Sequence, residues 1–317
     1  EYIYSWISFF LLLSERKITL PFLYERVNLY CAGVNSTTNV VVEFKISFLV
    51  IILICVRNFV FSQIYSIIPT MKLQKLYSKV RQALDDYNMI TENDKIAIGV
   101  SGGKDSLTLL YALSGIRSFY PVPFELVAIA VDLGYEDFDL SPVKALCDEL
   151  SVEFYVVKTD IGRISLEKSK NQASPCSWCA KLRKGALNDF ALSVGCNKIA
   201  YAHHMDDIIE TMFLSLLYEG QFYSFAPVTQ LDGSGLAIIR PLMYVGESDV
   251  KGFKNKYNLP VCKNPCPYDG HTRREYVKQL VRQLNMENPG VKKRLFSAIQ
   301  NGNIDDWVKC TKPSDAS

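Results

Sequence analysis

From residue 95 onward the chain alternates short apolar runs with amphipathic stretches, and that alternation excludes most folds at once. Lys95-Ile96-Ala97-Ile98-Gly99-Val100 precedes a helical stretch at 107–116; 126–131 precedes 142–150, 154–157 precedes 181–194, and 198–202 precedes 207–218. The short runs are continuously apolar, the pattern of strands buried on both faces. Such repeated βα units predict an α/β fold, a doubly wound parallel sheet with flanking helices that takes its ligand at the carboxyl ends of the strands. Leu73, Leu76, Val80 and Leu84 fall at helical spacing, so 71–93 is expected to supply an N-terminal helix and 94–245 the catalytic domain. Past Gly220 the period lapses until Ala237-Ile238-Ile239-Arg240-Pro241. The remainder, 246–317, reads as a helical region, with helices expected over 249–257 and 271–284.

Residues 1–70 are of another kind: apolar runs with few charges and no amphipathic period. The run over 46–61 is broken by Arg57 and falls short of the roughly 20 apolar residues of a spanning helix, so no stable membrane association is expected. No basic start or cleavage site marks a secretory signal. The segment is expected to be an apolar leader outside the native protein, which would start at Met71; a membrane-proximal extension and an accessory segment are the alternatives. With a net charge of +2 the whole-chain field is weak, and a nucleic-acid partner would need a local basic surface. Nine unevenly grouped cysteines without a secretory signal argue for the cytoplasm and for metal or redox chemistry over a disulfide framework.

Ser101-Gly102-Gly103-Lys104-Asp105-Ser106 lies between a strand and a helix, where backbone N–H groups and the helix dipole cradle anions. Gly99 stands one residue too close to Gly103-Lys104 for a Walker A loop, and an acid follows the lysine. Asp105 is a candidate Mg²⁺ ligand bridging to phosphate oxygens, and Lys104 a compact counter-charge. The hexapeptide resembles the PP-loop of the N-type ATP pyrophosphatases, which implies ATP cleaved between its α and β phosphates on Ser101 to Ser106.

Two further strand ends carry candidates. Asp132 closes its strand where it can seat a nucleotide or cap a turn. Ala202-His203-His204-Met205-Asp206-Asp207-Ile208-Ile209-Glu210-Thr211 opens a helix with two of the chain's three histidines. Acids there suit the helix dipole, yet histidines can also bind phosphate and stabilise leaving pyrophosphate. His203, His204 and Asp207 are therefore candidate ATP contacts, and Asp206 a candidate catalytic acid or Mg²⁺ ligand.

Cys176-Ser177-Trp178-Cys179 and Cys262-Lys263-Asn264-Pro265-Cys266 supply four thiols. Four would close a structural zinc site; three on a four-iron cluster would leave one iron open. Spacing alone leaves both readings standing. Lys181, Arg183 and Lys184 follow the first pair, and Arg273, Arg274 and Lys278 follow the second, either as solvated faces or as contacts to nucleic-acid phosphates.

Pro175-Cys-Ser-Trp-Cys-Ala-Lys-Leu-Arg-Lys-Gly185, the stretch 202–211 and Ile239-Arg-Pro-Leu-Met-Tyr-Val245 together resemble, in that order, the tRNA 2-thiocytidine biosynthesis (TtcA-like) family over roughly 71–305. The resemblance implies an ATP-dependent tRNA sulfurtransferase that adenylates a cytidine and replaces its oxygen with sulfur. It also implies a [4Fe-4S] cluster on three cysteines, with Cys176 and Cys179 mapping directly, Cys266 as the expected third ligand and Cys262 as the fallback. Lys104, Asp105, Cys176, Cys179 and Asp206 are then the expected catalytic residues, ATP, Mg²⁺ and the cluster the cofactors, and tRNA and a cysteine-desulfurase-type sulfur donor the partners. A homodimer is an open possibility. The competing readings are the same activation chemistry on a uridine or a small molecule, and a zinc-stabilised RNA-binding module.

Overall fold

The chain divides into two units, Glu1–Ile68 and Pro69–Ser317. The computed structural model describes residues 73–136, 138–169, 175–231, 233–263, 266, 273–302 and 307, all in the second; the expected leader lies outside them. In chain order the elements are α1 (Leu73–Asp86), β1 (Asp94–Gly99), α2 (Lys104–Arg117), β2 (Phe124–Asp132), α3 (Ser141–Glu149), β3 (Glu153–Lys158), α4 (Ile161–Ser169), α5 (Pro175–Ser193), β4 (Lys198–Ala200), α6 (Met205–Tyr218), β5 (Val228–Gln230), β6 (Ala237–Ile239), α7 (Glu247–Lys256), α8 (Arg273–Glu287) and α9 (Val291–Asn301).

The strands form one sheet in the order β3-β2-β1-β4-β6-β5. Every pairing is parallel except β5 with β6. Alternate residues of β1 and β2 feed two cores. Ile96, Ile98, Leu126, Ala128 and Ala130 pack into the larger one with α1, α2, α3 and α6. Ala97, Val127 and Ile129 pack into a smaller one under Leu187 and Ala191 of α5. Burial on both faces explains the unbroken hydrophobicity of these strands; each aliphatic side chain so buried contributes about 1.5–3 kcal/mol, and Ile98→Ala would open a cavity at the centre of the sheet.

The strand order reverses between β1 and β4, and in a doubly wound sheet the crevice at such a reversal is where ligands bind. The loops leaving β1 and β4 are the two that carry the glycine-rich hexapeptide and the paired histidines. Asn197, just past α5, donates its N–H to the Lys95 carbonyl at the start of β1 (3.0 Å). The far end of α5 therefore lies at the amino ends of the strands, and its first turn, with Cys176 and Cys179, lies at the carboxyl ends with the crevice. Among the described residues no helix is long and apolar enough to cross a membrane.

Candidate active site

The glycine-rich turn is tied to itself by its serines. Ser106 Oγ accepts from the Ser101 N–H (3.2 Å) and donates to the Gly103 carbonyl (3.0 Å), while Ser101 Oγ accepts from the Gly103 N–H (3.4 Å). Gly102 adopts φ +75°, a conformation costly for a side chain. A Cβ there would also stand 3.0 Å from Cys262 Cβ, because the Cys262 N–H donates to the Gly102 carbonyl (3.0 Å). Gly103 caps α2 with no side-chain hydrogen bond. The helix amino terminus is thus left uncapped at the switch point, the arrangement that receives phosphate.

Lys104 Nζ contacts Asp105 (2.8 Å) and Glu247 Oε1 (3.6 Å). That same Glu247 oxygen receives Lys278 of α8 (2.8 Å) and Lys251 (3.1 Å). Burial alone would raise the Glu247 carboxyl, but hydrogen bonds from Lys278 and Lys251 overcome it and hold it at about 2.

At the β4 end, His204 caps α6. Its Nδ1 accepts from the Asp207 N–H (3.3 Å), and Asp207 Oδ2 accepts from the His204 N–H (2.9 Å). His204 Nε2 stands 3.6 Å from Asp105 Oδ1, which joins the two loops. Asp206 is buried and fully engaged: Lys292 Nζ donates to Oδ1 (2.6 Å) and the Glu247 N–H to Oδ2 (2.7 Å). Burial opposes its charge, yet Lys292 and the Glu247 amide hold its pKa below the ordinary value. As arranged, Asp206 fastens α6 to α7 and α9. Asp132 stands at the third strand end, with Oδ1 accepting from the Gly134 N–H (2.9 Å) as a turn cap. His203 stacks on Phe225, ring centroids 4.5 Å apart.

The thiols fall into two places. Cys176 is exposed and Cys179 and Cys266 are partly buried. Burial pushes the Cys179 thiol up; Arg183 pulls it down, and Cys266 and Cys176 add to the rise, so these three are electrostatic neighbours. Cys262 instead sits against Gly102. Among the described residues no group of three Cys, His, Asp or Glu side chains is gathered tightly enough to hold a single metal ion.

The PP-loop domain family matches residues 71–284. A protein from Geotalea uraniireducens named tRNA-cytidine(32) 2-sulfurtransferase is 40% identical over 229 residues, 72% of this chain and 91% of that relative. A protein of the same name from Geobacter sulfurreducens is 37% identical over 236 residues, 74% of this chain and 92% of the relative. The chain belongs to this PP-loop family of tRNA 2-sulfurtransferases. Among solved structures, the U34-tRNA thiolase NcsA from Methanococcus maripaludis with its [4Fe-4S] cluster superposes with a TM-score of 0.62 at 24% identity, covering 73% of this chain and 79% of that one. The two share a fold.

Several basic residues of this sulfurtransferase-family chain are engaged by acids or rings at the surface. Arg274 reaches Asp207 (3.5 Å) and Glu210 (3.7 Å) on α6, and Lys278 is held by Glu247. Arg273 lies over the Tyr218 ring at 4.8 Å, and Lys181 over Trp178 at 5.7 Å. Arg183 and Lys184 are carried on α5 between the thiols and the β4 loop. Sequence reasoning missed Glu247 and Arg240, and took Lys292 only as one of a basic run with Lys293 and Arg294. No local motif marks the pairing of Glu247 with Lys104 or of Lys292 with Asp206, residues far apart in the chain. Arg240 sat inside the quoted Ile-Arg-Pro stretch without a role.

Proposed function

We propose that this chain is the ATP-dependent enzyme that thiolates a tRNA cytidine, activating the base as its adenylate. The observation that carries the reading is the uncapped α2 amino terminus at the switch point, with the first turn of the thiol-bearing helix α5 at the same end of the sheet. The α2 amides and Lys104 bind the phosphates, and Asp105 would hold Mg²⁺, which would offset the growing charge on pyrophosphate. The cytosine O2 attacks the α-phosphorus, the bond to the bridging oxygen breaks, and pyrophosphate departs. Sulfur at the hydrosulfide level then adds to C2 and AMP leaves with the former O2, giving the thiocarbonyl and releasing a proton.

Cys176, Cys179 and Cys266 fit a [4Fe-4S] cluster. The donor set is three thiols, and a cube takes its thiolates on different corners, so ligands that do not converge on one point still suit it. The cluster, when bound, would offer an open iron that binds sulfur. Cys266 is favoured over Cys262 as the third ligand because its thiol is felt by Cys179, whereas Cys262 packs on Gly102. A tRNA is the substrate; Arg183, Lys184, Lys181 and Arg273 would meet its phosphates, while Arg274 and Lys278 are tied to α6 and to Glu247. A cysteine-desulfurase-type enzyme supplies sulfur in the cytoplasm, and a homodimer is compatible with this reading. The test is incubation of anaerobically purified protein with tRNA, ATP and a sulfide source. Pyrophosphate and 2-thiocytidine by mass spectrometry are expected; ADP with orthophosphate, or pyrophosphate with only uridine thiolated, would overturn the assignment.

A further inference from the structure

Three polar atoms beside the β4 end are sequestered from solvent with no hydrogen-bond partner among the described residues: Tyr201 Oη, His203 Nδ1 and Arg240 Nε. They belong to one contiguous group. The Tyr201 and His203 ring centroids are 5.7 Å apart, His203 stacks on Phe225, and the Arg240 guanidinium lies 5.1 Å from the same ring. Arg240 is only 4% exposed; one of its terminal nitrogens donates to the Ala226 carbonyl and to Thr229 Oγ1 (3.0 Å), which fixes the guanidinium while Nε meets no acceptor among the described residues. Unpaired buried polar atoms each cost about 1–3 kcal/mol and are rare in native proteins. Three in one patch, none used by the phosphate chemistry, point to a missing ligand.

Position narrows the ligand. His203 adjoins His204, which contacts Asp105 of the phosphate loop. On the other side, the charge of Arg183 acts on both Cys179 and Tyr201. The patch therefore lies between the nucleotide loop and the thiols, where an acceptor must sit to meet first the α-phosphate and then sulfur. Chemistry narrows it further. Burial, with Arg240 and Arg274 nearby, pushes His203 down to about 3, so its ring is neutral and can present Nδ1 as an acceptor. Arg240 Nε can only donate. Cytosine offers the complementary pair, a donor at N4 and an acceptor at N3; uracil offers the reverse at both positions.

We propose that Tyr201, His203 and Arg240, backed by Phe225, are the seat of the flipped acceptor base, with His203 Nδ1 accepting from N4 and Arg240 Nε donating to N3 so that cytosine is taken over uracil. O2 is left free for the α-phosphate. This deepens the thiolase reading and rests on it for the identity of the RNA, but its test does not require turnover. The full chain is titrated with stem-loop RNAs bearing cytidine, uridine or pyrimidin-2-one, which lacks the N4 amino group, at the acceptor position, with a non-hydrolysable ATP analogue present.

The wild type should prefer cytidine over pyrimidin-2-one by about tenfold, the effect of one unmet buried hydrogen bond, and over uridine, mismatched at both positions, by more. His203→Phe should bring the ratio of cytidine to pyrimidin-2-one close to one, and His203→Gln, which restores an acceptor, should recover it. Tyr201→Phe should weaken all three RNAs alike, since a hydroxyl can donate or accept. Equal wild-type binding of cytidine and pyrimidin-2-one RNA overturns the seat without relying on any variant's folding, as does a His203→Phe protein that keeps the wild-type ratio. Absent pyrophosphate release with an intact cytidine preference would sink the thiolase reading and spare the seat.

Discussion

The two halves of the site are built differently. Around the phosphate loop, side chains from α2, α6, α7, α8 and α9 are linked through Asp105, His204, Asp206 and Glu247 at 2.6–3.6 Å. Around the thiols, Cys176 is exposed, and Lys168 and Lys181 rest on the Trp178 ring at 4.8 and 5.7 Å. The contrast suits the order of events. Adenylation needs charge placed in advance, because a preorganised site need not reorganise as the transition state forms. Sulfur transfer needs ligands that a metal can draw together, and binding energy then completes the fold locally.

The sharpest break between the halves should come from the thiols. Cys179→Ser is expected to abolish thiocytidine while tRNA-dependent pyrophosphate release stays within a few-fold of wild type, and Cys266→Ser should do the same. Cys262→Ser should retain thiolation, because its thiol stands on the loop side. Radiolabelled pyrophosphate release and nucleoside mass spectrometry on the same samples read both halves together. Loss of both products in Cys179→Ser would show that the halves are not separable.

The opposite cut is at Lys104. Lys104→Ala should lower pyrophosphate release by about 10²–10³ while leaving iron and sulfide content unchanged on metal analysis. A variant that also loses its metal would mean that the loop braces the thiol helix, contrary to the contrast drawn above.

The same contrast decided what could be read from the sequence. The phosphate loop, the β4 histidines and the parallel sheet were legible because each depends on local signals: a continuous apolar run, two glycines, a cap residue. Other elements were not. β5 is three residues long, α4 carries only a weak apolar pattern, α9 was passed over although Leu295, Phe296 and Ile299 follow helical spacing, and α5 begins at Pro175, so the C-x-x-C occupies its first turn and not the loop before it. Glu247 was invisible for a different reason. Its role exists only where Lys104, Lys251 and Lys278 meet, and two of those partners lie tens to more than a hundred residues away. Likewise the ion pairs that Arg274 and Lys278 make with α6 and α7 could not be told from an open basic face, since helical spacing does not say what packs against it.

The smallest effect tests the seam between the halves. Glu210 on α6 is buried 3.7 Å from Arg274 of α8, and burial together with the nearby Asp207 charge raises its pKa to about 7, with Arg274 working against the rise. An unfolded glutamate titrates near 4.3, so the native state binds the proton more tightly. Its contribution to stability is accordingly whole below about pH 4.3 and fades as the pH climbs through 7. Glu210→Gln removes this dependence. Relative to wild type, the variant should gain on the order of 2 kcal/mol between pH 5 and pH 8, seen in thermal melts at the two pH values. A constant offset between the melts would mean that Arg274 keeps Glu210 ionised throughout and that the seam is an ordinary ion pair.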